Sequence, residues 1–375
     1  MARLEVEELQ FTYPGSVQPT LKGLSFEVPS GGSLALLGSS GAGKTTLLNL
    51  LSGLLLLEHG RIVFDGVDVS KLSAAKRGVA QVFEFPVMYD SLSVRDNIAF
   101  PLRTRGVSRA VRRRRAEAVA ELFDLGELLD AKPPALSLFQ KQLVGFAKAL
   151  VRDDLPMVLL DEPLTAVEPG MKWRLRGAVK RAQAELDTTM VYVTHDQTEA
   201  LTFADAVSVL HDGRLLQTAS SQELYDRPAH TEVARFIGNP GMNLLPAEQF
   251  AEGFEVAGQP VKAAPGDLPK GNLQIGFRPE WGILETQTVN LTQETQSSRP
   301  GSSISIPVKL LGTRLVGANS QQALGIARVA IGESTAQVSC VLGAHLNGEL
   351  RLRLDRYELF CDNLRVSMGQ QREQK

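Results

Sequence analysis

The chain has 375 residues, of which 43% are hydrophobic and 22% charged, which is enough for a full α/β core and a second domain. Its formal net charge of -2 provides no general attraction to a polyanion, so we expect no nucleic-acid partner. The two cysteines, Cys340 and Cys361, are too few for a disulfide framework and fit the cytosol.

The sequence predicts neither a signal peptide nor a membrane span. Residues Met1 to Phe11 alternate charged and apolar side chains and lack a signal-peptide core. The most apolar stretch, Leu47 to Leu57, is interrupted by polar residues and glycine and is far shorter than the roughly 20 residues that cross a bilayer. We therefore expect any membrane association to depend on a partner.

The first elements in chain order are two strands and a phosphate-binding loop. Leu4 to Phe11 and Leu24 to Val28 alternate like β-strands between turns. Residues Ser33 to Leu48 then read as strand, glycine-rich loop and helix. Within them, GSSGAGKT from Gly38 to Thr45 fits G-x-x-x-x-G-K-[ST], a loop whose backbone N–H groups cradle phosphates.

The residues of this loop have separate expected roles. Lys44 is expected to reach the β/γ-phosphates and Thr45 to ligate Mg²⁺. Glycines at Gly38, Gly41 and Gly43 would let the backbone turn sharply and approach an anion closely. The pattern therefore predicts a nucleotide site.

The middle of the chain reads as two further β segments and a helical region. Arg61 to Gly66 resembles a strand and a tight turn, and Gln81 to Glu84 resembles a short edge strand. Val94 to Leu129 has helical periodicity, and a second helix is expected from about Gln140 to Arg152. The arginine run Arg112 to Arg115 has two interpretations, a patch for nucleic acid or anionic lipid, or a solvated helix face paired with acidic residues at helical spacing. We favour the second.

Two later strands end in chemically useful side chains. Met157 to Pro163 is an apolar strand that finishes in Asp161 and Glu162. At the carboxyl edge of a parallel sheet, Asp161 can face a metal, and Glu162 can act on a water at the γ-phosphate as general base. Met190 to Asp196 is a similar strand, and His195 at its end is either structural or, as we favour, a γ-phosphate contact.

Three stretches together resemble Walker A, Walker B and the switch histidine of ABC transporter ATPases. They are Gly38 to Thr45, Met157 to Pro163 and Thr194 to Asp196. The later segments Gly238 to Leu245, Gly276 to Glu280 and Leu350 to Phe360 resemble the C-terminal regulatory domain of the carbohydrate and polyol importers. The resemblance implies an α/β P-loop nucleotide-binding domain over 1–238, with a helical subdomain at about 95–152, and a β-rich OB-like domain over 239–375. A polar linker is expected from Thr286 to Ser302.

The resemblance also assigns residues to ATP and Mg²⁺. Tyr13 stands where the family has an adenine-stacking aromatic, although an ordinary tyrosine at a strand end would look the same. Glu162 and His195 are the expected catalytic residues. The expected metal ligands are Thr45, Asp161 and Glu84. The expected nucleotide-binding residues are Tyr13, Gly38, Ser39, Ser40, Gly41, Ala42, Gly43, Lys44, Thr45 and Thr46.

Three motifs depart from the family pattern on the side expected to face a second subunit. The signature, usually Leu-Ser-Gly-Gly-Gln, is Leu136-Ser-Leu-Phe-Gln140, with Ser137 and Gln140 retained for the opposite subunit's ATP. Glu84 replaces a glutamine, and Glu168 replaces the D-loop aspartate. Either these are tolerated changes or, as we favour, they indicate a functionally asymmetric dimer.

The resemblance implies ATP hydrolysis that energises import of a small polyol or sugar, with glycerol as the best guess. The expected partners are a second, related ATPase subunit, two permease subunits and a solute-binding protein, at the cytoplasmic face of the membrane. One alternative is a largely regulatory ATP-binding subunit. Another is a soluble ABC ATPase without a transport role.

Overall fold

A computed structural model describes residues 2–262, 268–286, 303–318, 323–342 and 350–366. The chain divides into two compact units, Met1–Ser221 and Gln222–Lys375. Residues 222–238, expected with the nucleotide-binding domain, group with the second unit. Most of the predicted linker, 287–302, lies outside the described residues, and the domain limits stay predictions.

The first unit is built on a six-stranded sheet in the order β10-β9-β3-β8-β7-β6. All neighbours pair in parallel except β10 and β9. Every residue of β3 and β8 is buried, as expected for parallel strands covered on both faces. The strands of this unit are β1 (Leu4–Phe11), β2 (Leu21–Val28), β3 (Ser33–Leu37), β4 (His59–Phe64), β5 (Val67–Asp68), β6 (Ala80–Val82), β7 (Val158–Asp161), β8 (Met190–Thr194), β9 (Ala206–His211) and β10 (Arg214–Ala219).

The order of the central strands places three loops side by side. Strand β8 lies between β3 and β7, with Leu37 opposite Thr194 and Asp161 opposite Val193. Because these strands are parallel, the loops that follow them leave the same edge of the sheet. The phosphate loop, Glu162 and His195 therefore start from adjacent positions.

A smaller antiparallel sheet in the order β2-β1-β4-β5 lies in the same unit. The predicted strand Leu4 to Phe11 is confirmed as β1. Strand β2 begins three residues before its predicted start at Leu24. The helices are α1 (Lys44–Ser52), α2 (Ala74–Arg77), α3 (Val94–Arg103), α4 (Arg109–Leu122), α5 (Leu138–Leu150), α6 (Pro169–Leu186) and α7 (Gln197–Phe203), with 3-10 turns at Gly126–Leu128 and Pro133–Ala135.

The helical region from Val94 to Leu129 is not continuous as its periodicity suggested. It breaks between α3 and α4, where Gly106 adopts a left-handed φ of 74° that ends a right-handed helix readily. Ser93 caps α3, its hydroxyl accepting a hydrogen bond from the Asp96 N–H. The later helix α5 begins at Leu138, two residues before the predicted start.

The second unit is β-rich, as predicted, with two antiparallel sheets in the orders β13-β12-β11-β14-β20-β21 and β15-β19-β16-β17-β18. Its helices are α8 (Ser221–Asp226) and α9 (Thr231–Phe236), with a 3-10 turn at Pro279–Trp281. Its strands are β11 (Asn243–Phe250), β12 (Gly253–Val256), β13 (Gln259–Lys262), β14 (Leu273–Phe277), β15 (Gly282–Thr286), β16 (Ile304–Ala318), β17 (Ala323–Ile331), β18 (Ser334–Leu342), β19 (Leu350–Leu354), β20 (Glu358–Cys361) and β21 (Leu364–Val366).

Arg278 belongs to the segment Gly276 to Glu280 that the sequence analysis singled out, and it has a structural role. Its side chain is fully buried and donates hydrogen bonds to the carbonyls of Tyr225, Ala234 and Ile237. A buried guanidinium needs such acceptors because an unpaired charge is costly in a low-dielectric interior. Arg278 therefore holds α8 and α9 to the β-sheet of the second unit.

Candidate active site

The phosphate loop connects β3 to α1 and encloses the ammonium group of Lys44. Lys44 is 6% exposed, and its Nζ donates hydrogen bonds to the carbonyls of Gly38 at 2.8 Å and Ser39 at 2.9 Å. Burial lowers the pKa of Lys44, and the nearby Glu162 and Asp161 partly oppose that shift. An anion in the loop would therefore stabilise the charged form of Lys44.

The glycines of the loop are needed for packing as well as for access. A Cβ on Gly38 would lie 2.3 Å from the carbonyl oxygen of Leu210, and one on Gly43 would lie 2.6 Å from Cδ2 of Leu21. Gly43 also has a φ of 105°. Clearance for an anion is thus only part of the reason for glycine here, because the protein's own atoms exclude a side chain at both positions.

The exposed part of the loop is lined by small and hydroxyl-bearing residues. Ser39, Ser40, Gly41 and Thr45 are exposed, whereas Ala42 and Thr46 are buried. The loop therefore presents backbone groups and hydroxyls at its open side.

Tyr13 lies beside this loop. Its hydroxyl is 3.1 Å from Oγ1 of Thr46, and its ring meets Phe11 edge-on with centroids 4.9 Å apart. The side chain is 40% exposed, which leaves ring surface open for stacking.

Glu162 and His195, which are 33 residues apart in sequence, are in direct contact. Glu162 Oε2 lies 2.9 Å from Nδ1 of His195 and accepts a hydrogen bond from the Thr165 hydroxyl at 3.2 Å. Glu162 has a φ of 46°, an unusual left-handed conformation for a residue other than glycine. Its N–H donates to the carbonyl of Val193 at 2.9 Å, which anchors that backbone to β8.

Asp161 is the last residue of β7, and other carboxylates lie near it. Burial, together with the negative charges of Glu162 and Glu84, raises the pKa of Asp161, and Lys44 partly opposes the shift. A bound cation would favour the ionised form of this group. Asp161, Glu84 and the Thr45 hydroxyl provide oxygen ligands of the kind that Mg²⁺ prefers.

Within the described ranges, no three His, Cys, Asp or Glu side chains converge into a ready-made metal site. Mg²⁺ is usually held by one or two carboxylates together with substrate phosphates and waters. The residues present therefore fit a metal that arrives with a nucleotide.

The signature segment forms the N-terminus of α5. Ser137 and Gln140 make a reciprocal capping box, in which the Gln140 N–H donates to the Ser137 hydroxyl and the Ser137 N–H donates to Oε1 of Gln140. Leu138 is 40% exposed, and Phe139 lies 5.9 Å from the guanidinium of Arg174. The two unusual residues therefore place bulky side chains beside the helix N-terminus.

Glu168 is also exposed, and so are Phe85, Val87 and Tyr89 in the segment Phe85 to Tyr89. Glu168 precedes α6 and its side chain makes no capping hydrogen bond. Phe85 and Val87 are 64% and 62% exposed, so neither side chain is packed beneath the neighbouring helices. Large exposed apolar side chains in a cluster are typical of protein interaction sites.

Comparison with known proteins gives the family. A family model described as ABC transporter matches residues 21–165. The chain is 39% identical over 285 residues to a sn-glycerol-3-phosphate import ATP-binding protein of Rhizobium etli, covering 76% of this chain and 79% of the relative. The chain belongs to the ABC import ATP-binding proteins. This import ATPase is of the carbohydrate and polyol branch, and it hydrolyses ATP to power transport.

Other relatives agree with this assignment. The import ATPase is 36% identical over 319 residues to the diacetylchitobiose uptake system ATP-binding protein MsiK of Streptomyces coelicolor, covering 82% of this chain and 84% of the relative. A solved structure of CbiO1 from Clostridium perfringens, part of the ABC transporter complex CbiONQ, aligns with a TM-score of 0.56 and 28% identity. It covers 62% of this chain and 92% of that one. In the described part of the import ATPase, no helix is both long and apolar enough to cross a membrane.

Gln142 is a residue of this site that the sequence analysis missed. It is 1% exposed, and its Nε2 donates hydrogen bonds to the carbonyls of Phe83 at 3.1 Å and Pro163 at 2.7 Å. Those carbonyls adjoin Glu84 and Glu162 respectively. Gln142 therefore joins α5 to both acidic segments, and its polar side chain on the apolar face of α5 was the available signal.

Glu199 is a second missed residue. It is 2% exposed and accepts hydrogen bonds from the hydroxyls of Tyr192 and Thr194 and from Nζ of Lys172. Burial and this carboxylate raise the pKa of Tyr192 well above its ordinary value. The network fixes the end of β8 immediately before His195, and no local sequence pattern marks it.

Proposed function

We propose that this import ATPase binds ATP at the loop Gly38 to Thr45 and hydrolyses it with Glu162, which His195 orients. The observation that carries the proposal is the 2.9 Å contact between Glu162 and His195, at the sheet edge from which the phosphate loop also leaves. A carboxylate can accept the proton of an attacking water, and a hydrogen-bond partner fixes its direction.

The other site residues have binding roles in this proposal. Lys44 neutralises phosphate charge, backbone N–H groups of the loop donate to phosphate oxygens, and Tyr13 stacks on the adenine. Mg²⁺ is held by the Thr45 hydroxyl, Asp161 and Glu84. When bound, the metal neutralises charge that develops on the β- and γ-phosphate oxygens.

The proposed cargo is glycerol or a closely related small polyol. Support comes from the segment Ala80 to Asp90, which resembles the glycerol importers, and from relatives named for sn-glycerol-3-phosphate import. To test this cargo, the ATPase would be assembled with its permease subunits and solute-binding protein. We expect glycerol with the binding protein to stimulate hydrolysis, and stimulation by a disaccharide instead would contradict the assignment.

The proposed position is the cytoplasmic face of the membrane, on two permease subunits. The exposed side chains of Phe85, Val87 and Tyr89 supply an apolar surface for a permease helix. A solute-binding protein completes the importer.

We further propose that the second ATPase subunit is related but not identical, with an intact glycine signature. In this family each ATP lies between the phosphate loop of one subunit and the signature of the other. Leu138 and Phe139 put bulk where backbone N–H groups must approach an oxyanion, and losing one such donor typically costs about 10² to 10³ in rate. A dimer of identical chains would impair both sites, whereas a mixed dimer keeps one site complete.

Turnover distinguishes the two dimers. The chain alone is expected to hydrolyse ATP slowly, and its mixture with a related ATPase that has an intact glycine signature to hydrolyse it at least about 10²-fold faster. Replacing both Leu138 and Phe139 with glycine should raise the rate of the lone chain. Robust hydrolysis by the lone chain that this double replacement leaves unchanged would contradict the mixed dimer.

A further inference from the structure

A basic cleft separates helices α3 and α4 on the first unit. Its volume is about 450 Å³, and its walls include Arg95, Arg103, Arg109, Arg112 and Arg113, with Asp96 among its few acidic residues. The arginines come from facing turns of the two helices. We call this feature the arginine cleft.

The positive charges of the arginine cleft are only partly neutralised by the protein. Arg113 pairs with Glu117 at 2.9 Å, and Arg95 pairs with Glu117 and Asp130. In the part of the chain that the structure describes, no carboxylate lies within 4 Å of the guanidinium nitrogens of Arg103, Arg109 or Arg112. The pairing at helical spacing that we favoured from the sequence is present at Arg113, whereas Arg112 has no such partner among the described residues.

The position of Arg112 makes the unneutralised charge significant. Arg112 is half-buried, so water screens it less than it screens a side chain on an open helix face. Guanidinium groups that share a cleft repel one another, and an anion between them removes that repulsion. The chain as a whole is slightly negative at -2, so this local excess of positive charge is not a general property of the surface.

We propose that the arginine cleft binds a phosphate monoester. The planar fork of each guanidinium matches two oxygens of a phosphate, and several forks around one cleft suit a dianion better than a monoanion. The ligand is either a soluble phosphate compound or the headgroup of a phosphatidic-acid type lipid, which share this chemistry. The proposal is independent of the proposed hydrolysis mechanism, because no residue of the cleft was placed in that machinery.

The test follows the arginine Nε–Hε signals of the full chain by NMR at constant ionic strength. The probes are inorganic phosphate, sn-glycerol 3-phosphate and vesicles of phosphatidic acid, with phosphatidylcholine vesicles and chloride as controls. We expect the signals of Arg103, Arg109 and Arg112 to shift together and saturably. These signals report the cleft separately from any phosphate bound near Lys44. Response to the soluble probes identifies a soluble ligand, and response to the vesicles alone identifies a lipid.

Variants decide whether the cleft itself is the site. Arg112→Gln is expected to weaken binding about tenfold, since a hydrogen bond to a charged group contributes that much. Arg112→Lys keeps the charge but loses the fork, so it should weaken binding severalfold even if the first variant folds poorly. The matched control is Arg114→Gln, on the same helix but outside the cleft, which should bind as the parent does. The initial rate of ATP hydrolysis, measured before product phosphate accumulates, should be unchanged in all three.

Two results would overturn the proposal. One is the absence of a saturable shift with every phosphate probe. The other is equal weakening by Arg114→Gln and Arg112→Gln, which would indicate diffuse attraction to a basic helix rather than a site.

Discussion

The contact between Glu162 and His195 makes a quantitative prediction for paired substitutions. Glu162→Gln keeps the size of the side chain but removes the proposed base, and His195→Ala removes its partner at 2.9 Å. If the histidine acts only by orienting the carboxylate, its removal should matter little once the carboxylate is gone. The two effects should therefore be strongly non-additive.

The structure sets the expected magnitudes. Loss of a general base costs about 10² to 10⁴ in rate, or roughly 2.7 to 5.5 kcal/mol of transition-state stabilisation. A hydrogen bond to a charged group contributes about 1.5 to 3 kcal/mol. The side chain of His195 is 55% exposed, so we take the lower end and expect His195→Ala to cost about tenfold. The double variant should be within about threefold of Glu162→Gln.

The assay is single-turnover ATP hydrolysis by the assembled transporter. Equilibrium binding of a fluorescent ATP analogue is measured in parallel, and it should stay near the parent value because Glu162→Gln leaves Lys44 and the phosphate loop intact. The matched control is Glu185→Gln, the same change at an exposed position of α6, which should leave the rate unchanged.

Two results would refute this reasoning. If Glu162→Gln hydrolyses ATP at the parent rate, Glu162 is not the base. If the double variant is a further tenfold slower than Glu162→Gln, His195 acts independently of the carboxylate, and the contact between them does not explain its role.

Three further predictions concern Lys44 of the phosphate loop, the buried Asn97 and the permease contact. Lys44→Ala should abolish ATP binding, measured at equilibrium, because a buried ammonium would no longer neutralise phosphate; unchanged affinity would contradict this. Asn97 is fully buried and exchanges two hydrogen bonds with the backbone of Tyr89, so Asn97→Ala should lower the free energy of unfolding by about 1 to 3 kcal/mol in denaturant titrations. A loss below 0.5 kcal/mol would be too small for this role. In an active complex, Met88→Cys should crosslink to a permease subunit, whereas Leu56→Cys, at an exposed position outside that segment, should not; equal capture at both would count against a specific contact.

Short-range patterns in the sequence were sufficient for much of the first unit. The run Met190 to Thr194 is a strand as its apolar residues predicted, because a strand buried on both faces needs such a run whatever its neighbours are. The phosphate loop was recognisable for a similar reason. Its backbone conformation, with Gly43 at a φ of 105°, restricts which residues can occupy it. Such constraints act within a few residues, so a short stretch of sequence is enough to recognise them.

Sequence patterns were less informative where several segments decide one outcome. The periodicity from Val94 to Leu129 did not reveal the break between α3 and α4, because both helices bury an apolar face in nearly the same phase. The sequence also did not reveal the arginine cleft. The run of arginines lies on α4, whereas Arg103, on the opposite wall of the cleft, lies on α3. Which charges remain unpaired depends on how two helices pack.

The contact of Glu162 with His195 was decided by tertiary structure alone. Each residue could be placed at a strand end from its own sequence, but their separation depends on β7 pairing with β8 in one register. The same holds for Gln142, whose partners Phe83 and Pro163 lie on segments far from it in the chain. The sequence by itself thus determined which chemical groups are present and the local shape of the loop that holds phosphate. Strand register and helix packing decided which groups meet, because those contacts depend on side chains from every strand and helix of the core at once.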